Sequence, residues 1–297
     1  MRIVAVAVTY NPDIDVLAQT LQSVTSQVQH LVVVDNGSGN IEDIRSTAAE
    51  LSAHLVDNPN NIGIAAAQNQ GVAYARAEGF SHVLLLDQDT FLAPEVVADL
   101  AQNLLALERD HGPVAAIGPA YYELNSRRQT RGYVANGLWL SRLSLADAKR
   151  PVASDFIIAS GSLIPLTVLD QVGGFKEELF IDLVDVEWCF RARKAGYKSF
   201  LSPTATVDHR LGNDTVQIGT KRVAVHVPIR NYYWVRNALW LARQPHTPLA
   251  WRLYFVSRSL GFLATYTTLV DERARRLQLM ARGIWDGIGG RLGPLRQ

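Results

Sequence analysis

Four short apolar runs early in the chain, each ending in a polar turn, constrain most strongly what it can fold into. Arg2–Thr9, Leu31–Asp35, His54–Asp57 and Val83–Asp87 are short and largely apolar, and most are rich in β-branched residues. That is the pattern of strands buried on both faces of a parallel sheet. Between the first two, Ile14, Leu17, Leu21, Val24 and Val28 fall at helical spacing behind Asn11-Pro12. The pair predicts a helix opened by a cap, with proline in its first turn. Further helices are predicted over Ile62–Glu78 and Pro94–Glu108. Strands alternating with helices make an α/β domain of nucleotide-binding type. The 297 residues, 48% hydrophobic and 19% charged, are enough for a sizeable core and exclude a disordered, collagen-like or disulfide-rich chain.

In such sheets ligands bind beyond the carboxyl ends of the strands. Those ends read Thr9-Tyr10-Asn11, Asp35-Asn36-Gly37-Ser38, Asp57-Asn58-Pro59-Asn60-Asn61 and Asp87-Gln88-Asp89-Thr90. Asn, Asp and Gly make turns anywhere, but four consecutive strands end this way and three of them end on an acid. Two carboxylates spaced by one residue after Val83–Leu86 suit a hard divalent cation, Mg²⁺ or Mn²⁺, held beside phosphate oxygens. Such a cation neutralises a departing diphosphate. No G-x-G-x-x-G follows a strand and no G-x-x-x-x-G-K-[ST] is present, which argues against a dinucleotide site and a P-loop. Asp35 is placed to accept a hydrogen bond from the imide N–H of uracil or thymine, favouring a pyrimidine nucleotide.

Val8-Thr9-Tyr10-Asn11, Val34–Ser38, Asn61–Gly71 and Leu85–Thr90, in that order, resemble the inverting glycosyltransferases of family 2. Leu86–Thr90 and Arg230-Asn231-Tyr232-Tyr233-Trp234-Val235-Arg236-Asn237 resemble the bacterial rhamnosyltransferase branch, and the match runs from about Val4 to Asn237. The resemblance implies a GT-A fold: a nucleotide-binding, Rossmann-like mixed sheet flanked by helices. Its catalytic domain would span 1–243, with a nucleotide-sugar half to about 120 and an acceptor half beyond it. Residues 244–297 would form a helical C-terminal extension. The implied activity is transfer of L-rhamnose from dTDP-L-rhamnose to a hydroxyl of a cell-surface polysaccharide or lipid-linked oligosaccharide, or of another UDP- or dTDP-sugar. Thr9, Asn11 and Asp35 would hold the nucleoside, and Asp87 the ribose or the metal. Tyr10, Asn36, Gly63, Asn69 and Gln88, in the same motifs, would complete the nucleotide-sugar site with Arg230 and Tyr233. Asp89 and His209 would be metal ligands.

Direct displacement at an anomeric carbon needs a carboxylate to take the acceptor's proton. The family draws it from the Asp of a Glu-Asp pair; here the pair reads Val184-Asp185, so Asp185 keeps the base position and Asp182 is the fallback. Asp182, Asp185 and Glu187 sit at the start of a helix predicted over Asp185–Ala195, where acids also serve as caps. Three acids beside an aromatic wall fit an acceptor pocket better, with Asp182 and Trp188 lining it. In the helix from Arg230, arginine suits a diphosphate and tyrosine a sugar or base; a solvated, packed helix is the bland alternative.

The net charge of +1 is a cancellation: residues 1–220 carry 16 basic and 25 acidic side chains, net −9, and residues 221–297 carry 13 and 3, net +10. Helices predicted over Leu249–Val270 and Asp271–Ile288 combine arginines with aromatics, which suits peripheral contact with anionic lipid or a homo-oligomer face rather than nucleic acid. Cys189, the single cysteine, excludes an internal disulfide and fits a reducing compartment. Met1-Arg2 leads straight into the first strand, with no signal peptide, and Arg252 and Arg258 interrupt the most apolar stretch, Trp251–Val270. These features point to a cytoplasmic protein, peripheral at the inner face of the membrane if the tail meets lipid. The rivals are a Mg²⁺ phosphatase with an aspartate nucleophile, in which the Thr stands two residues after the second Asp, and a non-catalytic sugar-nucleotide or scaffold protein.

Overall fold

In the computed structural model, which describes residues 1–123, 128–129, 131–209, 215–218, 221–224 and 227–295, strands and helices alternate from the start. The order is β1 (Ile3–Thr9), α1 (Ile14–Thr25), β2 (His30–Asp35), α2 (Ile41–Glu50), β3 (His54–Asp57), α3 (Ile64–Ala77) and β4 (His82–Asp87). The four predicted strands are all present, within one residue of the expected bounds. The first helix is capped by Asp13, whose carboxylate accepts from the N–H groups of Asp15 and Val16. Asn11 cannot cap it: its backbone is left-handed, at φ 45°, whereas a capping residue sits in the β region. Helix α2 was not expected from the sequence; it buries only Ile44, Thr47 and Ala48.

The chain continues through β5 (Thr90–Leu92), α4 (Val96–His111), β6 (Val114–Glu123), β7 (Arg128–Gln129), β8 (Gly132–Asn136), β9 (Trp139–Leu143), β10 (Val152–Ser154), β11 (Leu163–Pro165) and α5 (Leu166–Val172). After a 3₁₀ turn at Glu177–Leu179 come α6 (Val184–Lys194), β12 (Lys198–His209) and the pair β13 (Thr215–Ile218) and β14 (Lys221–Ala224). Three helices follow: α7 (Pro228–Leu241), α8 (Leu249–Thr268) and α9 (Arg273–Gly289).

The main sheet runs β10-β12-β6-β11-β4-β1-β2-β3. β4, β1, β2 and β3 are mutually parallel, whereas β11 is antiparallel to both of its neighbours. The period-two alternation of a strand explains why β1 is apolar throughout. Val4, Val6 and Val8 enter the core on one face, beneath α3, α5 and α6. Ile3, Ala5 and Ala7 enter the other, beneath α1, α2 and α4.

The C-terminal helices are built into this body. Val186 and Phe190 of α6 share a cluster with Ala238 and Leu241 of α7 and with Trp251 and Phe255 of α8. Helix α9 lies directly on the backbone of α7. A Cβ at Gly283 would stand 2.7 Å from the Tyr232 carbonyl oxygen, and one at Gly287 would stand 2.5 Å from that of Arg236. Only glycine permits that approach. Among the described residues no helix is long and apolar enough to cross a membrane.

Candidate active site

The parallel strands bring their carboxyl ends into one row, where Thr9 pairs with Asp35, Asp35 with Asp57, and Val8 with Asp87. A cleft of about 510 Å³ opens above this row. Thr9, Tyr10, Asn36, Gly63, Asp87 and Gln88 line one side, and Phe180–Asp185 and Arg230 the other, with Ile158–Ser160 at the floor.

On the first side the acids are fixed by the strand ends. Asp35 is fully buried and accepts four hydrogen bonds, from Thr9 Oγ1 (2.9 Å), Gly37 N (3.0 Å), Ser38 N (2.8 Å) and Ser38 Oγ (2.5 Å). Its carboxylate therefore shapes the loop after β2 and does not line the cleft. Asn11 knits the same loop from outside: its N–H donates to Ser38 Oγ (2.7 Å) and its Oδ1 accepts from Gly39 N (2.8 Å). Asn36, also buried, accepts from Ile62 N (2.8 Å) and donates to Asn61 (3.2 Å), so it joins the loop to the start of α3. The Gln88 side chain accepts from Tyr10 N (2.8 Å), leaving the Tyr10 ring about half exposed at the mouth.

Asp87 and Asp89 flank Gln88 on the turn between β4 and β5, and both are part-exposed. Ser160 holds that turn: its Oγ accepts from Asp87 N (2.9 Å) and is hydrogen-bonded to Thr90 Oγ1. β5 pairs with β12 so that the backbone of His209 stands opposite Thr90, next to Asp89. The side chain of His209 lies outside the described residues. Among the described residues no group of three His, Cys, Asp or Glu side chains is gathered to hold a metal. A pair of carboxylates is nonetheless the usual protein share of a Mg²⁺ site completed by substrate phosphates, and Asp87 and Asp89 fit it.

The second side is different in construction. Phe180, Asp182 and Leu183 have φ of 67°, 67° and 62°, left-handed values that residues with a Cβ rarely adopt. Gly63 (φ 88°) makes room for this loop, since a Cβ there would stand 2.7 Å from the Phe180 ring. Asp182 is ion-paired with Arg230 across the cleft wall. Asp185, in the first turn of α6, accepts one hydrogen bond on each oxygen, from Val186 N (2.8 Å) and Ala159 N (3.2 Å). Burial pushes its carboxyl up from 3.8 to about 6; backbone N–H groups of Val186, Ala159 and Asp185 itself oppose the rise and the Asp87 charge adds to it. A carboxyl so perturbed, at the bottom of a cleft, suits a general base.

Four further expectations land outside the cleft. Trp188 is in the core, where its indole N–H donates to Gly173 O (2.9 Å) and its ring lies 5.7 Å from Phe175. Its hydrogen bond to Gly173 and its packing on Phe175 hold the ring in the core rather than in the cleft wall. Glu187 is buried in an ion pair with Arg191 (2.8 Å) and lies 3.2 Å from His246. Asn69 braces α3 against the Gly-Gly turn, donating to Phe175 O and Glu177 and accepting from Phe175 N, all at 2.8 Å. Tyr233 is buried behind Phe180, stacked at 5.0 Å. The sequence reading gave no role to Ser160 or Phe180; the small-residue run Ser160-Gly161-Ser162 was the available signal.

The family model for glycosyl transferase family 2 matches residues 5–172. The dTDP-rhamnosyl transferase RfbF of Shigella flexneri is 31% identical over 97% of this chain and 96% of its own length. The chain belongs to glycosyl transferase family 2. The transferase shares its fold with residues 1–349 of S. aureus TarS in complex with UDP-GlcNAc, at a TM-score of 0.59 and 15% identity over 97% of this chain and 82% of that one. It is also similar to GalNAc-T7 solved with UDP, GalNAc and Mn²⁺ (TM-score 0.55, 14% identity), covering 87% of this chain and 54% of that one. The fold is GT-A with C-terminal helices, and family membership sets aside the aspartate-nucleophile phosphatase and the non-catalytic rivals.

Proposed function

We propose that the transferase moves L-rhamnose, with inversion, from dTDP-L-rhamnose to a hydroxyl of a cell-surface polysaccharide or its lipid-linked precursor. The observation that carries the reaction is Asp185 in the cleft wall, its carboxyl raised by burial to about 6 and beside Asp87. The choice of donor rests on the likeness to RfbF along nearly the whole chain. The acceptor hydroxyl attacks the anomeric carbon as its proton passes to a free lone pair of Asp185. The bond to the diphosphate breaks on the opposite face, and dTDP leaves with the electron pair.

Asp87 and Asp89, with His209 as a third ligand, hold a divalent cation, Mg²⁺ or Mn²⁺. When bound, that cation neutralises the charge that develops on the leaving diphosphate. Arg230 offers a second positive charge from the facing wall, in exchange for its present pairing with Asp182. Thr9, Tyr10, Asn36 and Gln88 surround the nucleoside; Asp35 and Asn11 fix the loop that meets the base. Asp182 and Phe180 face the acceptor.

The C-terminal helices meet anionic lipid. Leu253 and Leu260 of α8 and Trp285 and Ile288 of α9 are 52%, 63%, 71% and 58% exposed, beside exposed Arg258 and Arg282. Apolar side chains flanked by arginine suit a membrane interface. Leu260→Ser with Trp285→Ser should abolish sedimentation with phosphatidylglycerol vesicles. Unchanged sedimentation, or a change of oligomeric state instead, would turn this face into a contact between copies.

The test of the reaction is a panel of dTDP- and UDP-sugars with Mg²⁺ or Mn²⁺, read first by thermal shift and then by release of nucleotide. dTDP-L-rhamnose should give the largest shift and should turn over with a saccharide acceptor. A larger response to a UDP-sugar would overturn the donor, and no response to any of them would overturn the whole reading.

A further inference from the structure

The motif Arg230–Asn237 is only partly used by the cleft, because Arg236 and Asn237 are fully buried. Neither faces the cleft; both face the back of its strained wall. Asn237 Nδ2 donates to the carbonyl oxygens of Leu179 (3.1 Å), Ile181 (2.8 Å) and Asp182 (2.8 Å). Arg236 donates to Leu179 O (2.7 Å) and Glu178 O (3.3 Å), and its Nε to Asn237 Oδ1 (2.9 Å). The amide of Asn237 is therefore used at both ends, and its donors lie against the three carbonyls that flank Phe180 and Asp182. Left-handed residues with a Cβ persist only where the surroundings over-determine them. Here the surroundings are these carbonyl contacts.

The same groups reach the far end of the chain. Arg236 also donates to Gly293 O, Gly293 N donates to Glu178 O (2.7 Å), and Leu295 N donates to the Tyr233 hydroxyl (2.9 Å). The Tyr233 ring lies on Phe180, and the Arg236 guanidinium lies 4.9 Å from the same ring. Residues 293–295 thus lean on the cleft wall through two side chains of α7.

We propose that Asn237 is a positioning residue for transfer: with Arg236 and Tyr233 it clamps Leu179–Leu183 in the shape that presents Asp182 and Asp185 to the acceptor, while Arg236 and Tyr233 tie that wall to residues 293–295. The clamp rests on the reading of Asp185 as the base. Asn237→Asp keeps the size of the side chain and removes the donors, setting a carboxylate against three carbonyl oxygens. At saturating donor, kcat should fall by about 10²-fold, the loss expected when reacting groups shift by about 1 Å. The acid limb of the rate profile should move below 6 as water enters beside Asp185, and hydrogen exchange should quicken at 179–183 before it does in β1 and β4.

A residue that only supports the fold would lower the folded fraction and leave the acid limb where it was. A folded Asn237→Asp with the wild-type kcat, acid limb and exchange pattern overturns the clamp. If that variant does not fold, Tyr233→Phe decides: it removes only the hydroxyl that holds Leu295, and should quicken exchange at 179–183 with a smaller loss of kcat. Unchanged exchange in Tyr233→Phe overturns the clamp. Failure of the wild type to transfer any sugar would count against the proposed function instead, and the exchange measurement would still decide the clamp.

Discussion

The two walls of the cleft hold their acids in opposite ways. On the strand side Asp35 stands at the end of β2 and collects four donors from its own loop and from β1. On the helix side Asp185 has one backbone donor per oxygen, and burial holds its carboxyl at about 6. The first arrangement is stable and inert: a carboxylate with every oxygen satisfied is a fastener. The second leaves lone pairs free and a charge incompletely compensated, which is what a base requires. The backbones differ in the same sense, with one left-handed residue bearing a Cβ, Asn11, on the strand side and three, Phe180, Asp182 and Leu183, on the other. Reactivity lies where the chain is least comfortable.

The sharpest way to break this contrast is Asp185→Asn. Transfer should fall by about 10²–10⁴-fold, while the fold should gain stability. Because the folded carboxyl is raised, its favourable contribution is complete below pH 3.8 and is lost as pH rises through about 6. Above pH 7 the variant should therefore be more stable than the wild type by up to about 3 kcal/mol, seen as a higher Tm, and the gap should close below pH 4. In the wild type, kcat/KM should drop tenfold per pH unit below about 6. A Tm that falls in Asp185→Asn would remove the contrast.

Gly63→Ala tests the space left for the strained wall. A left-handed backbone with a Cβ against Phe180 should cost about 1–3 kcal/mol in chemical denaturation and weaken dTDP binding. Asn69→Ala is next: it removes three hydrogen bonds to the Phe175–Glu177 turn and should destabilise by about 1–3 kcal/mol, with kcat unchanged because Asn69 is outside the cleft. The smallest effect is expected of Thr9→Val, which takes one donor of four from Asp35 and should cost about 1 kcal/mol.

The strand side was largely legible in the sequence because its logic is local. An apolar run followed by Asp-Asn-Gly-Ser gives both the strand and its rim, and a parallel sheet aligns four such rims with no further information. Helix α2 escaped because Ile44, Thr47 and Ala48 make a short, weak stripe. The helix side was read less well. Asp185 is legible through the family's Glu-Asp pair, of which it keeps the Asp, whereas the roles expected of Trp188 and Tyr233 rest on an aromatic standing in or near a motif. Whether an aromatic faces a cleft or a core depends on helical phase and on what packs behind it. Here those are Gly173 and Phe175 for Trp188, and Phe180 for Tyr233. Arg236 and Asn237 serve carbonyl groups more than 50 residues away, a separation at which sequence pattern says nothing about partners.

The hydrogen bond from Gly293 to Glu178 has a consequence in time. A chain emerging from the ribosome folds its N-terminal part first, so β1 to β4 and the loop around Asp35 can settle while the last helices are still being made. The loop carrying Asp182 then waits for 55 further residues before Asn237 reaches its carbonyl groups, and longer still for Gly293. The strand side of the cleft can thus form before its helix side, so the wall that carries Asp182 and Asp185 is the later of the two to take shape.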